Sequence, residues 1–140
     1  MNLRKLRIED LSFLLEIRNH ITTRSNLAND SVFTLDDCKK WFIETSPIWY
    51  IIEVNNTPIG YLRTNNNEVG CDIHPKFRRN GYARQAYKLY LKDKEHATLW
   101  VFSDNHVKQL YLDLGFRYTG NKTTIRNREY IEMEYKYKLT

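Results

Sequence analysis

A chain of 140 residues with 41% hydrophobic and 28% charged residues has the size and balance of one folded domain, which excludes a disordered tract. No stretch approaches the roughly 18 consecutive apolar residues of a membrane-spanning helix, and no membrane partner is expected. The formal net charge of +5 favours an anionic partner, either a small acidic molecule or nucleic acid.

Residues 3–8 alternate well enough for a first strand. Asp10 can cap a helix over Leu11 to Arg18, with Leu11, Leu14, Leu15 and Arg18 on one face. Residues 19–33 are polar and poor in structure signals. Thr34-Leu35-Asp36-Asp37 resembles a capped helix start, and Leu35, Cys38 and Phe42 then share a face. Pro47 stops that helix. Strands are expected at 49–54, 59–64 and 68–73, joined by turns at Asn55-Asn56-Thr57-Pro58 and Asn65-Asn66-Asn67, as an antiparallel meander. The next helix carries Ala83, Ala86, Tyr87, Tyr90 and Leu91 at helical spacing. A strand at 99–102 precedes a helix with Val107, Leu110, Tyr111 and Leu114 on one face, ended by Gly115. In the last strand Ile131, Met133, Tyr135, Tyr137 and Leu139 face one way, and Glu132, Glu134, Lys136 and Lys138 the other. The order β-α-α-β-β-β-α-β-α-β-β makes an α+β fold, one mixed, mostly antiparallel sheet with helices on both faces, expected as a single domain over residues 1–140.

The most informative segment is Ile73-His74-Pro75-Lys76-Phe77-Arg78-Arg79-Asn80-Gly81-Tyr82-Ala83, between a strand and a helix. A helix start carries roughly half a positive charge and about four unpaired N–H donors, which suits a phosphate group. Gly81 lets the backbone turn and approach a ligand, Ala83 keeps the first turn low, and Arg78 and Arg79 add fixed charge.

This Arg-x-x-Gly-x-Ala turn resembles the pyrophosphate-binding loop of the GNAT superfamily of N-acetyltransferases, which reads Gln/Arg-x-x-Gly-x-Gly/Ala. A second block, Asn105 with Tyr111 six residues on and then Gly115-Phe116, resembles the family's later motif; Lys108 departs from it where a small residue is usual. The element order is also that of the family. Leu6-Arg7 with Asp10, Arg18-Asn19, Glu68-Val69-Gly70, and Gly115-Phe116-Arg117-Tyr118-Thr119-Gly120 resemble its RimJ/RimL-like branch, whose acceptors include protein N-termini, antibiotics and amino sugars on nucleotide carriers.

The resemblance implies acetyl-CoA as co-substrate, with the diphosphate at Arg78, Arg79, Asn80, Gly81, Tyr82, Ala83 and Arg84. The pantetheine arm would extend the sheet along the backbone of Cys71, Asp72 and Ile73, which requires a break in pairing with the next strand; Gly70 suits a bulge there. An N–H near Ile73 could hold a developing oxyanion. Tyr111 takes the role of general acid to the leaving sulfur, and Asn105 that of a hydrogen-bond partner to the arm, beside its plainer use as a helix cap. Glu68, Asp72 and His74 alternate to one side of a strand, and Glu68 is the first choice of base. Cys71 reads as a strand core residue, since direct transfer needs no acyl-enzyme. The acceptor site is expected from Arg18, Asn19, Arg24, Trp41 and Trp49, with Arg18 and Arg24 able to grip phosphates. An α-amine of pKa near 8 loses its proton at pH 7 for about 1.4 kcal/mol and a lysine for about 4.6 kcal/mol, which leans toward amino sugars or N-termini.

Other chemistries lack their residues. There is no Gly-x-Gly-x-x-Gly, Walker-type loop, Cys-x-x-Cys, His-Glu-x-x-His or Gly-x-Ser-x-Gly, and His20, His74, His96 and His106 lack metal-ligand spacing. The expectation is therefore an acetyltransferase acting on a small amine, an amino sugar on a nucleotide carrier first and a protein N-terminus second, as a monomer or homodimer. A basic nucleic-acid-binding module is the alternative outside enzymes, supported by charge and the 14% aromatic content alone, and acetyl-CoA binding without turnover is a third reading. Cys38 and Cys71 sit in apolar patterns and the opening residues lack the apolar core of a signal peptide, so reduced thiols and a cytoplasmic location are expected.

Overall fold

The computed structural model describes residues 1–137. In chain order it contains β1 (Asn2–Lys5), a 3₁₀ turn (Ile8–Asp10), α1 (Leu11–Arg18), α2 (Ile21–Arg24), α3 (Leu35–Thr45), β2 (Tyr50–Val54), β3 (Thr57–Asn65) and β4 (Glu68–Ile73). A second 3₁₀ turn (Pro75–Phe77) leads to α4 (Tyr82–Leu91), β5 (His96–Phe102), α5 (Lys108–Leu114), β6 (Arg117–Ile125) and β7 (Arg128–Lys136). The seven strands form one sheet in the order β1-β2-β3-β4-β5-β7-β6. Every neighbouring pair is antiparallel except β4 and β5. This is the expected mixed sheet with helices on both faces.

Local chemistry sets the element ends. Asn55 and Asn56 both take positive φ, 51° and 65°, so a two-residue turn joins β2 to β3 with the twist that hairpins favour. Asn66 repeats the device at φ 55° between β3 and β4. Thr34 and Asp37 close a reciprocal capping box on α3, Thr34 Oγ1 accepting from the Asp37 N–H at 3.1 Å and Asp37 Oδ2 from the Thr34 N–H at 3.2 Å. Ser46 ends α3 in the left-handed region, one residue ahead of Pro47. Asp10 departs from its expected role. It does not cap α1 but accepts the Arg7 N–H and two Arg4 guanidinium bonds, each at 2.8 Å, which ties β1 to the helix start.

Two apolar clusters fill the two faces of the sheet. Leu6, Leu11, Leu14, Ile17, Cys38, Ile51 and Tyr61 pack under α1 and α3. The larger cluster, including Leu62, Val69, Ala86, Tyr87, Leu99, Phe116 and Met133, lies under α4 and α5. Met133 is buried and Tyr135 packs on the core, as the alternation requires, but β7 stops at Lys136 and Tyr137 beyond it is 58% exposed. Lys138 and Leu139 lie outside the described residues.

Candidate active site

The sheet opens between its two parallel strands. β4 and β5 pair only at Glu68 and Thr98, where the Thr98 N–H donates to the Asn67 carbonyl at 2.8 Å. From there to Ile73 the β5 side of β4 has no strand partner. On its other side β4 keeps an unbroken antiparallel register with β3, and the His74 N–H donates to the Ile59 carbonyl at 2.8 Å. Antiparallel partners alternate between bonded and non-bonded pairs. The His74–Ile59 bond therefore fixes Asp72, Gly70 and Glu68 as the residues whose backbone groups point to β3. Those of Cys71 and Ile73 point into the gap. This corrects the expectation for Asp72, whose backbone serves the sheet. Arg78 Nε occupies the Ile73 carbonyl at 2.9 Å. What remains along the gap beyond Val69 is both backbone groups of Cys71 and the N–H of Ile73.

Gly70 makes no bulge, because the β3–β4 register runs through it unshifted. The gap comes from the divergence of β5. The Cys71 side chain packs on the α4/α5 core, where burial pushes its thiol pKa well up. That is the inert thiol expected of a core residue.

The open end of the gap meets the start of α4. The first helical bond runs from the Gln85 N–H to the Gly81 carbonyl at 3.1 Å. The amides of Gly81, Tyr82, Ala83 and Arg84 precede it and have no acceptor among the described residues. Gly81 has φ 75°, and a Cβ placed on it would meet nothing within 4 Å. A pocket of about 280 Å³ opens here, lined by Ile73, Phe77, Arg78, Arg79, Gly81, Tyr82, Ala83, Arg84 and Leu110. Asn80 shapes the turn by donating from Nδ2 to the carbonyls of Phe77 and Arg78, at 3.1 and 3.3 Å. Arg79 has φ 65° and no side-chain partner among the described residues. Arg84 pairs at the surface with Asp113 at 3.3 Å. Arg78 plays a different part from its neighbour, since its remaining nitrogens bond the hydroxyls of Thr22 and Thr23 and lash α2 to the end of β4.

Tyr111 projects from α5, edge-on to Tyr87 with ring centroids 5.6 Å apart and beside Phe116 at 6.1 Å. Burial pushes its pKa up to about 12. The Tyr87 hydroxyl next to it is buried with no hydrogen-bond partner among the described residues, a state that costs free energy until something pairs with it. Asn105 accepts the Val107 N–H on Oδ1 at 3.0 Å, the capping role, and its Nδ2 keeps no partner among the described residues.

The three carboxylate and imidazole candidates on β4 and at its end separate cleanly. Asp72 is ion-paired to Arg63 Nε at 2.9 Å. His74 accepts the Lys76 N–H on Nδ1, faces Glu16 with Nε2 at 3.3 Å and stacks on Phe13. Glu68 is exposed and has no side-chain partner among the described residues.

The expected acceptor residues also divide. Asn19 clamps Phe33 by its backbone in both directions, at 2.8 and 3.0 Å. Arg24 donates to the carbonyls of Asn19 and Asp30. Both hold the 19–33 segment in shape, with Arg24 keeping Nη2 unpartnered among the described residues. Arg18 donates to the carbonyls of Asn29 and Ser31 but also lines, with Trp41 and Trp49, a pocket of about 570 Å³ between α1 and α3. Trp49 stacks on Tyr61 at 5.6 Å. Sequence reasoning missed Arg126 and Arg128, which reach from the β6–β7 turn to the carbonyls of Ser25 and Leu27 and to Asp30. It also missed Arg63. The two-residue turn at Asn66 and Asn67 carried the needed signal, because it sets Arg63 opposite Gly70.

Comparison with known proteins gives this arrangement its family. The model of the Acetyltransferase (GNAT) family matches residues 13–116, and the chain belongs to that family. No curated protein matches the chain by sequence. Among solved structures, spermidine N-acetyltransferase from Vibrio cholerae, in complex with CoA and spermine, is 20% identical with a TM-score of 0.83, covering 95% of this chain and 93% of its own. A Salmonella typhimurium protein described as an acetyltransferase, with its cofactor acetyl-CoA, is 19% identical with a TM-score of 0.76, covering 100% of this chain and 95% of its own. Ribosomal-protein-alanine N-acetyltransferase from Brucella melitensis is 16% identical with a TM-score of 0.74, covering 98% and 100%. At these identities the likeness is one of fold.

The protein is a GNAT acetyltransferase with acetyl-CoA as co-substrate. Its own features fit that molecule. Four unpaired amides and an open glycine suit a diphosphate, and the free edge of Cys71 and Ile73 suits an extended, amide-bearing arm. No helix of the described residues is long and apolar enough to cross a membrane.

Proposed function

We propose that residues 1–140 act as one N-acetyltransferase domain that acetylates a small primary amine by direct attack. The observation that carries this reading is the β4/β5 gap running into four unpaired amides at the start of α4. Acetyl-CoA, when bound, supplies the activated acyl group. The amides of Gly81, Tyr82, Ala83 and Arg84, with the free charge of Arg79, hold the diphosphate. Cys71 and Ile73 align the arm, and Asn105 Nδ2 fixes its position. Glu68, the one β4 candidate without a partner, takes the proton of the acceptor amine.

Tyr111 is the proton donor at the sulfur. Against a thiol of pKa about 8.5, a tyrosine at about 12 faces an uphill transfer of about 5 kcal/mol. The neighbouring Cys71 thiol narrows that gap by analogy, because burial raises it strongly in the same surroundings. A leaving thiolate there is raised for the same reason, so its proton affinity approaches that of Tyr111.

The acceptor is narrowed by what Arg18 and Arg24 do. An amino sugar on a nucleotide carrier drew part of its support from these two as phosphate clamps, beside the low cost of deprotonating its amine, and both arginines bond loop carbonyls. The fold neighbours named above differ in acceptor, polyamine in one and ribosomal-protein alanine in another, so the fold does not choose. A small amine of the RimJ/RimL-like kind remains the reading, with the β6–β7 turn tied across the 25–30 loop favouring a small molecule over a folded protein's terminus. The two cysteines are free, which suits the cytoplasm. The test is thiol release from acetyl-CoA against a panel of amino acids, amino sugars, polyamines and N-terminal peptides. Release with at least one primary amine is expected; release with none, in protein that binds coenzyme A, refutes catalysis.

A further inference from the structure

Arg63 stands apart from the other arginines on this face of the sheet. Arg4, Arg18, Arg78, Arg126 and Arg128 all have their terminal nitrogens engaged by carboxylates, carbonyls or hydroxyls. Arg63 bonds Asp72 through Nε alone, and neither terminal nitrogen has a partner among the described residues. Its guanidinium lies flat on Gly70, where a Cβ would come within 2.3 Å of Nη2 and 2.5 Å of Cζ. The glycine therefore makes room for it. Asp72 is covered, at 11% exposure, while 35% of the Arg63 side chain stays open. The accessible part of the pair is the cation. Burial works most strongly against that charge, but Asp72 and the surrounding tyrosine hydroxyls together outweigh it, so Arg63 stays protonated. Its charge reaches Tyr111, Tyr87 and Tyr130 and partly offsets what burial does to each hydroxyl.

Glu68 shares this face. The register pairs Arg63 with Gly70 and Asn65 with Glu68, which makes Arg63 and Glu68 diagonal neighbours about 7–8 Å apart. They form no ion pair with each other. We propose that this separation receives a small zwitterion, and that Arg63 selects acceptors with an anionic group next to the reacting amine, α-amino acids being the class. The ammonium end meets Glu68 and the carboxylate meets the two free nitrogens of Arg63, a fork that matches it bidentately. A polyamine would place a second cation against Arg63 and is rejected. This inference rests on the acetyltransferase reading above and deepens it.

The experiment compares free amino acids with their carboxamides and with spermidine in the thiol-release assay, for wild type, Arg63→Gln and Arg63→Lys. Coenzyme A affinity is measured first by calorimetry. Its absence sinks the acetyltransferase site itself, and its presence isolates the role of Arg63. Wild type should prefer the acid to the amide by about a hundredfold in kcat/KM, the scale of two charge-assisted hydrogen bonds. Arg63→Gln should erase most of that preference, chiefly through KM, and Arg63→Lys should restore part of it. Equal use of acid and amide by wild type, a preference for spermidine, or equal losses on acid and amide in Arg63→Gln would each overturn the assignment.

Discussion

The two halves of the cleft are built from different material. The half proposed to hold coenzyme A is made of backbone: an opened strand edge at Cys71 and Ile73, a left-handed glycine and four helix amides. The half proposed to receive the acceptor is made of long side chains bonded across large sequence separations, such as Arg126 to Leu27 and Arg78 to Thr23. A backbone site needs a few residues at fixed spacing and survives wide sequence change around it. A side-chain site is specified by contacts between distant segments, and it can be rebuilt for a new acceptor without touching the first half. One fold thereby serves many amines with one acyl donor.

The backbone half is where single substitutions should do most damage. Gly81→Val forces a β-branched residue into positive φ, and with no protein atom near its Cβ the damage falls on the ligand side. Coenzyme A affinity should drop by at least about a hundredfold in calorimetry, the combined effect of αL strain and a blocked approach to the amides. Circular dichroism should stay native. Undiminished binding would remove the diphosphate from this loop. Tyr111→Phe should come next, lowering kcat by about 10²–10³-fold, a proton donor's usual share, with coenzyme A affinity almost unchanged. A normal kcat in that variant would leave the sulfur without its donor.

Legibility in the sequence follows the same division. β4 was readable to the residue, because Glu68 to Ile73 is bounded by a turn signal and by His74-Pro75. The α3 capping box and the left-handed Gly115 were readable for the same reason, each being a local pattern with a local consequence. Asp10 misled because its carboxylate had a stronger partner in Arg4, six residues back across a turn. Asn19 and Arg24 looked free in the sequence, since nothing local reveals that Phe33 and Asp30 return to meet them. Asp72 was misassigned for want of one fact, the parity of the β3–β4 ladder, which decides whether a residue's backbone faces β3 or the gap. Tyr137 kept the alternation but lost the strand that gives alternation its meaning.

The side-chain half can be loosened without harming the other. Arg126→Ala removes the bonds to Ser25, Leu27 and Asp30. The acceptor KM should rise about 5- to 10-fold and stability should fall by about 1 kcal/mol, the net worth of a few partly exposed charge-assisted bonds. Coenzyme A affinity should hold. A matching loss in coenzyme A affinity would mean that the halves are coupled, contrary to their separate construction.

The smallest expected effect is an absence. As the proposed donor Tyr111 must be protonated, and burial disfavours its phenolate, which moves its pKa upward to about 12. Loss of the donor therefore begins only as pH rises toward that value, not at the ordinary tyrosine pKa of about 10. With saturating acceptor and acetyl-CoA, kcat should climb as the amine deprotonates and then stay level through pH 10. An exposed tyrosine in the same role would halve the rate there. A falling limb centred near pH 10, present in wild type and missing in the residual activity of Tyr111→Phe, would mean that water reaches the hydroxyl in the working enzyme, and that the apolar packing of Tyr87 and Phe116 around it opens during turnover.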